Sequence, residues 1–92
     1  VLDCGTKSIS GDFHVKALEG WGTVLGHPGL VIDRLNEEHA VVLGEAALKV
    51  GDRVVVIPSH ACTTANLHPG LLFLGAGEPR WEPVSARGWD QL

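Results

Sequence analysis

A chain of 92 residues can close one modest hydrophobic core, so we treat it as a single domain. Its composition, 45% hydrophobic and 20% charged, excludes an intrinsically disordered chain. The net charge of -4 with scattered Lys and Arg residues argues against a nucleic-acid partner, and no apolar run reaches the roughly 20 residues that cross a membrane.

Short apolar runs separated by 12 glycines and 5 prolines fill the sequence, without the spacing of a substantial amphipathic helix. We therefore predict an all-β domain with little helix. Short strands at this spacing favour a small closed or partly open β-barrel, because closure removes exposed edges. In chain order, strands are predicted at residues 1–9, 24–26, 30–35, 40–43, 53–58, 71–74 and 81–86, with one helical turn at 45–48.

The first predicted strand mixes charged residues into an apolar run. A buried Asp3 or Lys7 would be costly unless it were paired or faced a polar cavity, so this strand could cross an active-site wall. Alternatively, Asp3, Gly5 and Lys7 share one solvated strand face, which places Cys4 on the core side. Both readings stay open. We expect Cys4 and Cys62 to be reduced thiols of a cytoplasmic protein, because disulfide-dependent small domains carry more cysteines.

The middle of the chain contains a predicted hairpin and a predicted central strand. Residues 36–39 form a polar turn between strands 30–35 and 40–43. The Gly51-Asp52 turn leads into the β-branched run 53–58, whose continuous apolar character predicts burial on both faces. We expect this strand at the centre of the fold, ending at Pro58 near a barrel rim.

His60 and Cys62 are the candidate metal ligands. Side chains at i and i+2 of one strand point to the same face, with Cα atoms about 6 to 7 Å apart. An imidazole and a thiolate suit zinc, and two protein ligands leave positions for water or substrate. The alternative is a half-buried thiol beside an unconnected histidine. Asn66 follows in a polar stretch that either supports the site or is an ordinary loop.

Ordered motifs run along nearly the whole chain. They are Val1-Leu2-Asp3-Cys4-Gly5-Thr6-Lys7 with Ser10, Glu37-Glu38-His39, Val50-Gly51-Asp52, Pro58-Ser59-His60-Ala61-Cys62 with Asn66-Leu67, and Trp81-Glu82-Pro83-Val84-Ser85-Ala86-Arg87-Gly88. In their order and spacing they resemble the C-terminal domain of the D-serine dehydratase and D-threonine aldolase family, which are pyridoxal-phosphate enzymes of the alanine-racemase fold type. A departure is Ala40, where the family commonly has glycine.

The resemblance implies a β domain packed on a TIM-type barrel that carries the pyridoxal phosphate, in a homodimer acting on β-hydroxy D-amino acids. Because the chain does not begin with Met, we expect it to be a piece of a longer polypeptide. The resemblance implies that this polypeptide includes the barrel. The family's divalent metal, zinc in the dehydratases, corresponds to His60 and Cys62. The aldolase branch has aspartate in place of Cys62, so this sequence resembles the dehydratases. Further active-site lining is expected from Asp3, Lys7, Ser10, His39 and Asn66.

An alternative hypothesis is a small β-barrel that binds a partner and has no catalytic role, sharing the fold alone. The two hypotheses differ in whether the full-length protein contains the barrel and its cofactor-bearing lysine.

Overall fold

The computed structural model describes residues 1–12 and 20–87. Within these ranges the chain is mostly β-structure, which confirms the predicted all-β class. Its elements are β1 Gly22–Val24, β2 Val31–Leu35, β3 Ala40–Leu43, β4 Val56–Pro58, α1 Ala61–Ala65, β5 Gly70–Phe73 and β6 Arg80–Pro83.

Two antiparallel sheets make up the described part of the domain. The larger has the strand order β3-β2-β1-β4, and the smaller pairs β5 with β6. The described strands do not close into a barrel, so the partly open form of the prediction is the one observed. No helix in these ranges has the length and apolar character needed to cross a membrane.

The hydrophobic core lies on β1 to β3 and the chain that leads to them. In β1 the outer residues are buried and the middle one is exposed, as expected for a strand with one face inward. Ile32 on β2 is completely buried. The buried apolar residues are Ile9, Val24, Leu30, Ile32 and Ala40.

The predicted hairpin is confirmed. Strands β2 and β3 pair with Leu35 opposite Ala40, and the Asn36 N–H donates to the His39 carbonyl at 2.8 Å to close the turn. A bulge between Ile32 and Arg34 shifts the register within β2.

The predicted strand at 1–9 is wrong. Leu2 forms an isolated bridge with Ala40, after which the chain bends across the hairpin turn. Thr6 and Lys7 donate backbone hydrogen bonds to the carbonyls of Asn36 and Glu37, at 2.7 and 3.1 Å. The opening segment is therefore fixed by its contact with the turn instead of by a ladder of strand pairs.

The predicted central strand is also wrong in length and position. Strand β4 covers only Val56–Pro58 and lies at the edge of the larger sheet. Val55 is 58% exposed and Ile57 49% exposed, so the run is not buried on both faces. A β-branched run favours a strand but does not say what covers it. The helical turn at 45–48 does not form, and Gly44 follows β3 with a φ of 119°.

Candidate functional site

His60 and Cys62 lie at the start of a short helix, so the prediction that one strand carries both is wrong. Strand β4 ends at Pro58, as proline there predicts. His60 has extended backbone angles and is the N-cap residue of α1, while Cys62 is the second residue of that helix. The relative direction of these two side chains is thus set by the start of helix α1 and not by the alternation of side chains along a strand.

The His60 imidazole is mostly buried and is bonded to a carboxylate. Its side chain is 18% exposed, and Nδ1 lies 2.9 Å from Oδ2 of Asp12. An ionised carboxylate can only accept a hydrogen bond, so Nδ1 carries the proton and donates it. In the neutral imidazole the lone pair is then on Nε2. Histidines that bind metals usually donate their other ring N–H to a carboxylate or carbonyl in this way.

The two cysteines have different surroundings. Both are free thiols, as predicted, and Cys62 is exposed whereas Cys4 is half-buried. Burial raises the pKa of the Cys4 thiol, and the neighbouring Asp3 carboxylate raises it further. Cys62 is therefore the more accessible thiol, both to a reagent and to a metal ion.

In the metal-free protein, we expect iodoacetamide to modify Cys62 well before Cys4 at neutral pH. The thiolate is the reacting form, so the raised pKa of Cys4 delays its reaction until the pH rises further. Peptide mapping by mass spectrometry over a series of pH values measures both rates. Equal rates at neutral pH would contradict the observed difference in burial.

The segment 8–12 is attached to helix α1 by side-chain hydrogen bonds. The Ser10 N–H donates to Oγ1 of Thr64 at 3.0 Å, and the Thr63 hydroxyl donates to Oγ of Ser10. His68 Nε2 is bonded to the Ser8 carbonyl at 2.9 Å. Ser10 is only 6% exposed. Of the predicted lining residues in the opening segment, Ser10 is thus the one bonded to the helix of His60 and Cys62.

Lys7 and His39 lie at the hairpin turn instead. The Lys7 ammonium is 2.6 Å from Glu38 Oε1, and His39 Nε2 is 3.0 Å from the Asn36 amide nitrogen. All four side chains are exposed. Whether Lys7 and His39 line an active site stays a prediction.

Asp3 and Asn66 are also exposed. Asp3 is next to Cys4, whose pKa it raises, and Asn66 ends helix α1 as its C-cap, with its N–H bonded to the Cys62 carbonyl at 3.2 Å. A lining role for these two residues likewise stays a prediction.

Asp12 is the residue that sequence reasoning missed. It lies 48 positions before His60, and no motif or periodicity connects residues so far apart. The attachment of segment 8–12 to α1 brings the two side chains together.

The donor set fits zinc in part. A carboxylate-bonded imidazole and an accessible thiol are two of the nitrogen and sulfur ligands that zinc takes. Across residues 1–12 and 20–87 there is no group of three or more His, Cys, Asp or Glu side chains placed to hold a metal ion. Further ligands would have to come from water, substrate or other parts of the protein.

Comparisons with known proteins place this chain in one family. A family model described as "Putative serine dehydratase domain" matches residues 1–74. A D-threonine aldolase of Arthrobacter sp. is 36% identical over 96 residues, which cover 99% of this chain and 24% of the aldolase. A 3-hydroxy-D-aspartate aldolase of Paracoccus denitrificans is 34% identical over 91 residues, covering 96% of this chain and 22% of that protein.

A shorter relative is an uncharacterized protein of Mycobacterium tuberculosis, 39% identical over 93 residues, which cover 96% of this chain and 68% of that protein. By contrast, the chain spans less than a quarter of the length of either aldolase, at 24% and 22%. The matched region therefore occurs within proteins of very different size.

Proposed function

Because this chain belongs to the serine dehydratase domain family, we propose that it is the metal-carrying domain of a pyridoxal-phosphate-dependent lyase acting on β-hydroxy D-amino acids. His60 and Cys62 are the proposed zinc ligands. The observation that supports them best is the 2.9 Å bond from His60 Nδ1 to Asp12, which directs the lone pair of the ring to Nε2. A cytoplasmic location is part of the proposal, since both thiols are free.

In this proposal His60 holds the metal through Nε2 and Cys62 holds it through Sγ. Bound there, zinc would supply a Lewis acid that stabilises negative charge on the β-oxygen of the substrate. The protein's part is to fix the imidazole, which Asp12 does, and to present a thiol that releases its proton to solvent as Sγ binds the metal. Cys62 meets that need because it is exposed.

Two features support a site completed from outside the described residues. Two ligands leave a tetrahedral zinc ion with open positions. The hydroxyl oxygen of Ser59, directly before His60, is buried and has no hydrogen-bond partner among the residues described. A buried hydroxyl without a partner is costly, so a group that approaches this face would relieve it.

The proposed partner is a TIM-type barrel of the same protein that carries the pyridoxal phosphate, within a homodimer. The pairing of Leu72 with Trp81 places both on one face of the β5–β6 sheet, and they are 56% and 58% exposed. Leu74, the residue after β5, is 76% exposed. Exposed apolar faces of this kind mark interfaces, and the aldolase relatives have most of their length outside the match.

The reaction is either β-elimination or aldol cleavage. Two relatives carry the aldolase name, whereas Cys62 matches the dehydratase pattern described above. Assaying the full-length protein with D-serine for pyruvate and with D-threonine for acetaldehyde distinguishes these. Formation of pyruvate alone is the result that we expect from Cys62.

A second candidate is a small interaction module without catalysis. It is favoured by the mycobacterial relative, because the match covers 68% of that protein. The remainder of that protein is shorter than the match, whereas a TIM barrel takes about 250 residues. A full-length protein that contains this chain but no barrel would support the module over the lyase.

Zinc content of the full-length protein tests the lyase proposal. We expect Cys62→Ala to lose most bound zinc and most lyase activity, because it removes one of two proposed ligands. Cys4→Ala is the matched control, since it removes the other free thiol, and it should retain both. Zinc content and activity that survive Cys62→Ala would reject the metal role.

A further inference from the structure

We propose that Asp12 is a positioning residue that holds His60 in the tautomer with the proton on Nδ1, and that a ring of hydrogen bonds through Ser10 and helix α1 fixes Asp12 in place. The inference rests on the proposed metal role of His60.

The ring has four links. His60 Nδ1 donates to Oδ2 of Asp12 at 2.9 Å, and the Asp12 backbone N–H donates to Oγ of Ser10 at 3.0 Å. The Ser10 backbone N–H donates to Oγ1 of Thr64 at 3.0 Å. The Thr64 backbone N–H closes the ring by donating to the carbonyl of His60 at 3.3 Å. Two segments that are far apart in the sequence are thus joined by two hydrogen bonds, one to the His60 side chain and one to Thr64 on helix α1.

Ser10 is the buried residue that anchors this ring of hydrogen bonds. It is 6% exposed, and its hydroxyl oxygen accepts from both the Asp12 N–H and the Thr63 hydroxyl. These two bonds use both lone pairs of that oxygen. The position of the Asp12 backbone relative to helix α1 is therefore set by a buried group, although the Asp12 side chain itself is 58% exposed.

The exposure of the Asp12 side chain favours a positioning role for this residue over a stabilising one. A hydrogen bond with one partner this exposed contributes little to folding stability. Its effect on the tautomer is direct, because a carboxylate accepts only from a protonated Nδ1, whereas an amide can donate to an unprotonated one. Asp12→Asn should therefore change the tautomer of the His60 imidazole without unfolding the protein.

The first measurement uses the metal-free protein. Long-range ¹H–¹⁵N correlation spectra of His60 should show the proton on Nδ1 in the wild type and a shift toward Nε2 in Asp12→Asn. Asp33→Asn is the matched control, because Asp33 is an exposed carboxylate on β2 that is paired with Arg34. It should leave the His60 spectrum and the unfolding midpoint unchanged, and Asp12→Asn should leave the midpoint nearly unchanged.

The second measurement is zinc affinity by competition with a chromophoric chelator. Loss of an outer carboxylate partner typically weakens metal binding about 10- to 100-fold, and we expect this range for Asp12→Asn. Ser10→Ala removes the acceptor of the Asp12 N–H and should weaken binding in the same direction. Asp33→Asn should bind zinc as the wild type does.

The outcomes separate this inference from the proposed function. If His60→Ala loses zinc but Asp12→Asn keeps both the wild-type tautomer and the wild-type affinity, the positioning role is overturned and the metal role stands. If His60→Ala binds zinc like the wild type, the proposed function itself fails. A wild-type His60 with its proton on Nε2 would overturn the inference before any metal is added.

Discussion

Replacement of Gly5 by alanine is expected to lower the free energy of unfolding by roughly 3 kcal/mol. A Cβ at this position would lie 2.0 Å from the Asn36 carbonyl oxygen and 2.7 Å from that of Glu37. Both are backbone atoms, so no side-chain rotation relieves the overlap. Thr6 and Lys7 donate hydrogen bonds to the same two carbonyls, which prevents the segment from moving away without losing them.

Urea unfolding measures this effect, with Gly29→Ala as the matched control. A Cβ on Gly29 would meet no heavy atom within 4 Å, so its change should stay within about 1 kcal/mol in either direction. Gly5 lets the opening segment pack closely on the hairpin turn, and this segment continues to Ser10 and Asp12. Gly5→Ala should therefore also weaken zinc binding. Equal unfolding midpoints for the two variants would show that the opening segment does not rest on the hairpin turn.

Local signals in the sequence were sufficient for the hairpin. A polar turn between two apolar runs predicted both strands, and β3 has the predicted bounds Ala40–Leu43. The same reasoning failed for residues 1–9, where close contact between Gly5 and the turn replaces strand pairing. It also failed for 53–58, because residue preference for a strand does not specify an edge or a centre.

The candidate site was predicted by residue type and not by geometry. Imidazole and thiolate chemistry singled out His60 and Cys62, but the helix α1 that positions them is five residues long. Such a helix is too short to show an apolar period in the sequence. Asp12 was out of reach for another reason, since its contact with His60 depends on how segment 8–12 attaches to α1.

Truncation of Ile32 to alanine is the second large effect that we expect, a loss of roughly 3 kcal/mol in the free energy of unfolding. Ile32 is 0% exposed and is the largest fully buried side chain in the described ranges. Its Cδ1 atom would be 3.5 Å from a Cβ on Gly22, so it packs where β2 meets β1. Removal of three carbon atoms there leaves a cavity that the neighbouring backbone cannot fill.

The cavity left by Ile32→Ala should also disturb the candidate site, through the paired strands of the larger sheet. Strand β1 pairs with β4, and β4 ends at Pro58 just before His60, so a loosened β1 weakens the support of helix α1. Ile32→Val removes one carbon and should cost only about 1 kcal/mol. Val50→Ala, at a position 108% exposed, should have almost no effect. Urea unfolding of the three variants gives this order, and an Ile32→Ala midpoint equal to that of Val50→Ala would mean that the core does not form around Ile32.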